Sequence, residues 1–224
     1  MITLAIDTST TRGSVALLRD AGALGEETFT RARDGDGLFE AMATLFQRSG
    51  LPVTAVELIG VGTGPGSFTG IRAGIAAARG VALPSKLPIK SVSSFDALAL
   101  TAMPQIPSTA IVLCVLGDAR REEVYSAMYA RSGETLRRCG ISTLENAQHV
   151  ANGLGSVWFV SAEDFPETTR LFPSAVALGC LAHQKFLTDG QRSDEQIEPL
   201  YLREPAYRKS APSTVVGAAD ILMP

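Results

Sequence analysis

Two sets of residues in this sequence could do chemistry. The first is a glycine loop, Gly62-Thr63-Gly64-Pro65-Gly66-Ser67-Phe68-Thr69-Gly70-Ile71-Arg72. Gly64 and Gly66 flank Pro65, so the loop can take backbone angles closed to other residues while Pro65 fixes one φ. Ser67 or Thr69 can cap the helix that follows by accepting a bond from a free backbone N–H. Such N–H groups, with the positive end of the helix dipole, attract phosphate or carboxylate, and Arg72 adds a cation. The loop lacks the lysine of a P-loop and the spacing of a dinucleotide fingerprint. On glycine pattern alone, a tight turn with a well-capped helix is the stronger reading.

The second set is a pair of acids, Asp7 and Asp118, each ending an apolar run. In a two-lobed α/β protein such strand ends converge on a cleft, where both acids could order metal-bound water around a nucleotide. Alternatively, each caps its own turn through backbone N–H groups. A phosphate cradle needs backbone close to the anion, hence glycine. Ala119-Arg120-Arg121-Glu122-Glu123 after Asp118 has none, and neither does Phe159-Val160-Ser161-Ala162. Turn capping is preferred. Ser67 is not a nucleophile elbow, because Thr69 stands where the second glycine would be. Arg120, Arg121, Arg131, Arg137 and Arg138 read as solvated surface.

Composition narrows the field. The chain has 224 residues, 46% hydrophobic and 19% charged, with net charge −3. That is enough for one large domain or two lobes, and it argues against a strongly basic nucleic-acid surface. Cys114, Cys139 and Cys180 are scattered, as suits reduced thiols, and His149 and His183 lack carboxylates at metal spacing. The expectation is a cytoplasmic, soluble protein without metal, cofactor or membrane segment.

The elements that must position these residues follow from periodicity. Ile2 to Ile6, Ser14 to Leu18 and Leu24 to Thr30 read as a three-stranded meander. Gly37 to Ser49 reads as a helix with Leu38, Met42, Leu45 and Phe46 on one face. After the strand at Leu58 and the glycine loop comes a helix, Gly70 to Leu83, rich in small residues. Its stripe of Ile71, Ile75, Ala78 and Ala82, with Gly70 and Gly74, fits a buried core helix or a surface shared with a second subunit. Interior glycines cost about 1 kcal/mol each against alanine, which close packing could offset. A strand at Ile89 to Val92 and a helix from Phe95 to Met103, capped by Ser93 or Ser94, close the first half.

The opening order then returns: strands at Thr109 to Leu116, Glu123 to Ala130 and Thr135 to Cys139. Asp7 and Asp118, Ala16 and Ala127, and Gly22 and Gly133 are all separated by the same interval, which suggests a duplicated α/β unit. Leu144 to Leu154 and Ser174 to Thr188 read as helices and Ser156 to Val160 as a strand. Leu200 to Leu202 reads as a short strand or extended arm. The division expected is a first lobe over 1–103, a second over 104–203, and a tail over 204–224 with a short helix at Val215 to Leu222.

Four motifs in order carry a family likeness: Ile6-Asp7-Thr8-Ser9, Gly64-Pro65-Gly66-Ser67-Phe68-Thr69-Gly70-Ile71-Arg72, Asp118 through Tyr125, and Pro199-Leu200-Tyr201-Leu202-Arg203. Together they resemble the TsaB (YeaZ) family, bacterial partner proteins in tRNA threonylcarbamoyladenosine synthesis. The resemblance implies a two-lobed actin/Hsp70-like (ASKHA) fold, each lobe a mixed sheet with helices. It implies a non-catalytic subunit that supports the TsaD enzyme, joined by TsaE, with tRNA reached only through the complex. It implies self-association through a similar surface, and it places that surface on the helices bearing Leu38, Met42, Phe46, Gly70, Ile71, Gly74, Ile75 and Ala78. Two segments depart from the family pattern: Arg33-Asp34-Gly35-Asp36-Gly37, where members carry His-Ser-Glu or similar, and Phe159 to Ala162, which lacks the usual glycines. An ATPase or sugar kinase of the same fold, and a peptidase, are the competing classes. The missing second glycine loop weighs against the first, and the missing metal pair and elbow against the second.

Overall fold

The computed structural model describes residues 1–30, 37–107, 109–119, 123–133, 135–139, 143–146, 157–190 and 197–200. The departing segment at 33–36, Arg120 to Glu122, the proposed helix beyond 146 and everything from Tyr201 onward lie outside them.

The described residues form two sheets. The first joins β1 (Ile2–Asp7), β2 (Arg12–Arg19), β3 (Gly22–Thr30), β4 (Leu58–Gly62) and β5 (Ile89–Val92) in the order β3-β2-β1-β4-β5. The second joins β6 (Val112–Asp118), β7 (Glu123–Ser132), β8 (Thr135–Arg138), β10 (Val157–Ser161) and β11 (Thr169–Arg170) in the order β11-β10-β6-β7-β8, with β9 (Thr143–Asn146) also on β7. Each sheet has an antiparallel meander joined to two parallel strands, so the duplication read in the sequence is real in topology. The constant interval is not. Asp7 pairs with Ser14 while Asp118 pairs with Val124, so the second hairpin is one residue shorter and the counterpart of Ala16 in the second sheet is Ser126, not Ala127.

Among the described residues four α-helices cover the sheets. On one face of the first sheet, Leu4, Ile6, Val15, Leu17, Ile59 and Val61 meet α1 (Gly37–Ser49) and α2 (Phe68–Ala82). Each fully buried aliphatic side chain there contributes roughly 1.5–3 kcal/mol. Gly50, at φ +67°, ends α1 in the left-handed conformation that glycine favours.

The remaining helices cross over. α3 (Ser94–Ala102), from the first half of the chain, packs Phe95, Leu98, Ala99 and Ala102 on Leu113, Val115 and Val160 of the second sheet. α4 (Ala175–Asp189), which follows the second sheet, packs Ala175, Leu178 and Ala182 on Ala5, Ala16 and Leu18 of the first. Contact there is close: a Cβ on Gly60 would stand 2.7 Å from that of Ala182. Three expectations shift. β6 begins at Val112 rather than Thr109, residues 144–146 are strand rather than helix, and β7 runs on to Ser132. Pairing with β7 holds 143–146 extended, a tertiary preference that local periodicity does not carry.

Candidate functional site

The ends of β1 and β6 face one cleft. Asp7 is buried, and both its oxygens are engaged by the chain itself. Oδ1 accepts from the Ser9 N–H at 2.9 Å and the Ser9 hydroxyl at 2.6 Å, and Oδ2 accepts from the Ser94 hydroxyl at 2.7 Å. Ser94 was a candidate helix cap. Its oxygen instead links Asp7 to the glycine loop, accepting from the Gly64 N–H at 3.1 Å. Gly62 is required here, because a Cβ would fall on the Asp7 carboxylate. Burial pushes the Asp7 carboxyl above its ordinary range, against the opposing pull of the Ser9 and Ser94 bonds.

The glycine loop is the turn that its sequence describes. Gly64 has φ +91° and Gly66 φ +152°, and the Gly64–Pro65 peptide is cis. Ser67 is the cap of α2, accepting from the Gly70 N–H at 3.3 Å. The Ser67 N–H donates to the Ser9 carbonyl at 2.7 Å, and a Cβ on Gly66 would fall on that carbonyl. The loop is thus packed onto the turn after β1. Arg72 stacks over the Phe68 ring at 4.0 Å. Thr69 is exposed.

Beyond this turn lies a hollow of about 460 Å³, lined by residues that include Ser9, Gly66, Phe68, Thr69, Asp118, Tyr125 and Glu163. Among the described residues its ionisable lining is Asp118, Glu163 and Tyr125, all acidic groups. The Glu163 carboxyl is raised by burial, with the Asp118 charge adding, while the Ser161 hydroxyl bond at 3.1 Å opposes. These groups by themselves disfavour an anion. Among the described residues no three His, Cys, Asp or Glu side chains gather as metal ligands. None of the helices in these residues is long and apolar enough to cross a membrane.

The residues assigned to a partner surface fall elsewhere. Leu38, Met42, Phe46, Gly70, Ile71, Gly74, Ile75 and Ala78 are all buried, and the apolar ones belong to the first core. Gly70 and Gly74 serve the chain's own packing. The Thr8 hydroxyl donates to the Gly70 carbonyl at 2.7 Å, and a Cβ on Gly74 would fall on the Thr8 hydroxyl. The exposed apolar and small residues of α1 and α2 are a different set that includes Phe39, Phe68, Ala73, Ala76, Gly80 and, just past the end, Leu83, standing among exposed Glu40, Gln47, Arg48, Arg72 and Arg79. Phe39 is 62% exposed and Leu83, just past the end of α2, 78%. The signal was present: once Ile71, Ile75, Ala78 and Ala82 are inward, helical geometry puts Ala73, Ala76 and Gly80 outward.

Two mixed sheets of one strand order, with helices between and outside them and an acid ending the first strand of each, define an α/β protein built from a repeated sheet unit, the fold of the YeaZ structure. The family model described as "TsaD: tRNA N6-adenosine threonylcarbamoyltransferase" matches residues 36–157. The tRNA threonylcarbamoyladenosine biosynthesis protein TsaB of Haemophilus influenzae is 29% identical over 93% of this chain and 96% of its own length. That of Escherichia coli is 28% identical, over 93% and 97%. The solved structure of YeaZ from Pseudomonas aeruginosa superposes with TM-score 0.76 at 27% identity, covering 90% of this chain and 99% of that one. The chain belongs to the TsaB (YeaZ) family, whose named members act in tRNA threonylcarbamoyladenosine biosynthesis.

Proposed function

We propose that this chain is a non-catalytic, cytoplasmic subunit that docks to a TsaD-like enzyme and supports its threonylcarbamoylation of tRNA adenosine. The observation that carries this reading is the outward face of α2. Ala73, Ala76 and Gly80 leave a low strip along its middle, flanked by Arg72, which folds over the Phe68 ring, and Arg79, which donates to the Ile197 carbonyl, while Phe68 at one end and Leu83 just beyond the other are exposed apolar side chains. A strip of small residues bounded by apolar groups lets another helix approach closely, and the arginines beside it suit a polar rim. Phe39 on α1 is exposed as well. The same face serves pairing with a second copy, and a TsaE-like ATPase and tRNA join only through the complex.

The saturated Asp7 supports the non-catalytic part. A carboxylate whose two oxygens already hold three hydrogen bonds in a buried turn is poorly placed to order water on a substrate. Co-expression with the TsaD-like subunit of the same genome tests the proposal. Wild type is expected to co-elute with it and Ala76→Glu to elute alone, with unchanged circular dichroism. Co-elution of the Glu variant at wild-type yield, or ATP hydrolysis by the purified chain that Asp7→Asn abolishes, would overturn it.

A further inference from the structure

A second hollow, of about 290 Å³, lies between the first sheet and the segment joining β11 to α4, and it shares no lining residue with the acidic cleft. Arg12, at the start of β2, and Arg170, at the end of β11, both place their guanidinium carbons 5.5 Å from the centre of the Phe172 ring. Among the described residues neither arginine has a carboxylate partner, and the only polar contact of Arg12 is a long one, 3.4 Å, to the Thr28 hydroxyl. The one carboxylate in the wall, Glu26, is committed elsewhere. It accepts from the Ser174 hydroxyl at 2.9 Å and the Ala175 N–H at 2.7 Å in the first turn of α4. Two planar cations and an aromatic ring therefore converge on an open hollow, and among the described residues their two positive charges exceed the single negative charge of Glu26.

We infer that this hollow is a site for a small phosphate-bearing ligand, held by Arg12 and Arg170 across the Phe172 ring. The guanidinium fork matches phosphate oxygens bidentately, and charge-assisted bonds of this kind are the strong ones. The volume sits at the low end of the range for ligand pockets, roughly 300–1,000 Å³. A nucleic-acid backbone fits less well. Among the described residues two cations line the hollow, the chain carries net charge −3, and backbone binders spread basic residues over a face. A ligand here touches both sheets, Arg12 from the first and Arg170 from the second, so occupancy ties the lobes together.

The full chain is titrated calorimetrically with pyrophosphate, with ADP and with a single-stranded RNA decamer, in wild type, R12Q, R170Q and, as a surface control, R137Q. Thermal midpoints without ligand establish that each variant folds. Pyrophosphate or ADP is expected to bind wild type and R137Q with Kd of about 1 mM or tighter. R12Q and R170Q are each expected to lose about tenfold or more, the worth of one charged hydrogen bond. Absence of binding to wild type, equal binding in the folded R12Q and R170Q variants, or tighter binding of RNA than of either small phosphate would overturn the assignment.

Discussion

Thr8 and Gly74 are in contact across the first lobe: the threonine, on the turn after β1, occupies the space a side chain on the helix would need. Its hydroxyl donates to the Gly70 carbonyl one turn earlier. The small residues of α2 thus serve two surfaces. Gly70 and Gly74 admit the β1 turn from within, and Ala73, Ala76 and Gly80 leave a low strip on the outer side.

That division predicts opposite outcomes for neighbouring substitutions. Gly74→Leu should cost about 3 kcal/mol or more, since the Thr8 turn cannot retreat without breaking its bond to α2. Ile75→Glu buries an unpaired charge and should be comparably damaging. Ala76→Leu, on the exposed side, should stay within about 0.5 kcal/mol of wild type. Urea midpoints for the three variants check the order.

Asp7 supplies a pH signature. Burial raises its carboxyl in the folded chain above the unfolded value near 3.8. The fold therefore binds that proton more tightly than the unfolded chain does. Its stabilising contribution is full below the unfolded value and is lost as pH rises through the folded one. Asp7→Asn, with no proton to lose, should gain on wild type between acidic and neutral pH. Urea denaturation at intervals from pH 4 to 8 measures the stability of the Asn variant minus that of wild type, and a difference that falls as pH rises contradicts the prediction.

The cap of α4 should behave as a unit. Glu26 reaches across from β3 to the Ser174 hydroxyl and the Ala175 N–H, and Ser174 Oγ itself accepts from the Val176 N–H at 3.1 Å. Glu26→Gln and Ser174→Ala should each cost about 1 kcal/mol, as lost helix caps do. Because the two side chains bond each other, the double variant should depart from additivity by about 0.5 kcal/mol or more. A double-mutant cycle from denaturation curves reads this directly.

In the second lobe, the Tyr129 hydroxyl donates to Asp96 at 2.6 Å, and Arg138 pairs with the same carboxylate at 3.1 Å. Burial, with the Asp96 charge adding, pushes the phenol well above its usual value. The folded chain should hold Tyr129 neutral where an exposed tyrosine ionises. Tyr129→Phe should therefore leave the phenolate absorbance change near pH 10 undiminished, while costing about 1 kcal/mol in stability.

Much of the fold was legible because its signals are local. Apolar runs and turn residues mark β1 to β5, and Leu38, Met42, Leu45 and Phe46 fix both the bounds and the inward face of α1. Gly64, Gly66 and Ser67 announce the turn and cap that the structure contains. What failed was set by distant partners. Nothing near Gly74 says that Thr8 lies against it, and nothing near Ser94 says that its hydroxyl serves Asp7 rather than its own helix. Residues 143–146 extend because β7 is beside them. Arg12 and Arg170 are 158 positions apart and meet only across the Phe172 ring.

The exchange of α3 and α4 between the sheets has a bearing on synthesis at the ribosome. A nascent chain that has emerged as far as Met103 holds every strand of the first sheet, yet Ala5, Ala16 and Leu18 still lack the helix that shields them. That helix ends at Asp189. The earlier half must wait, one side bare, until almost all of the later half has been translated, so a stop codon or protease cut anywhere between them strands an incomplete lobe rather than releasing a finished one.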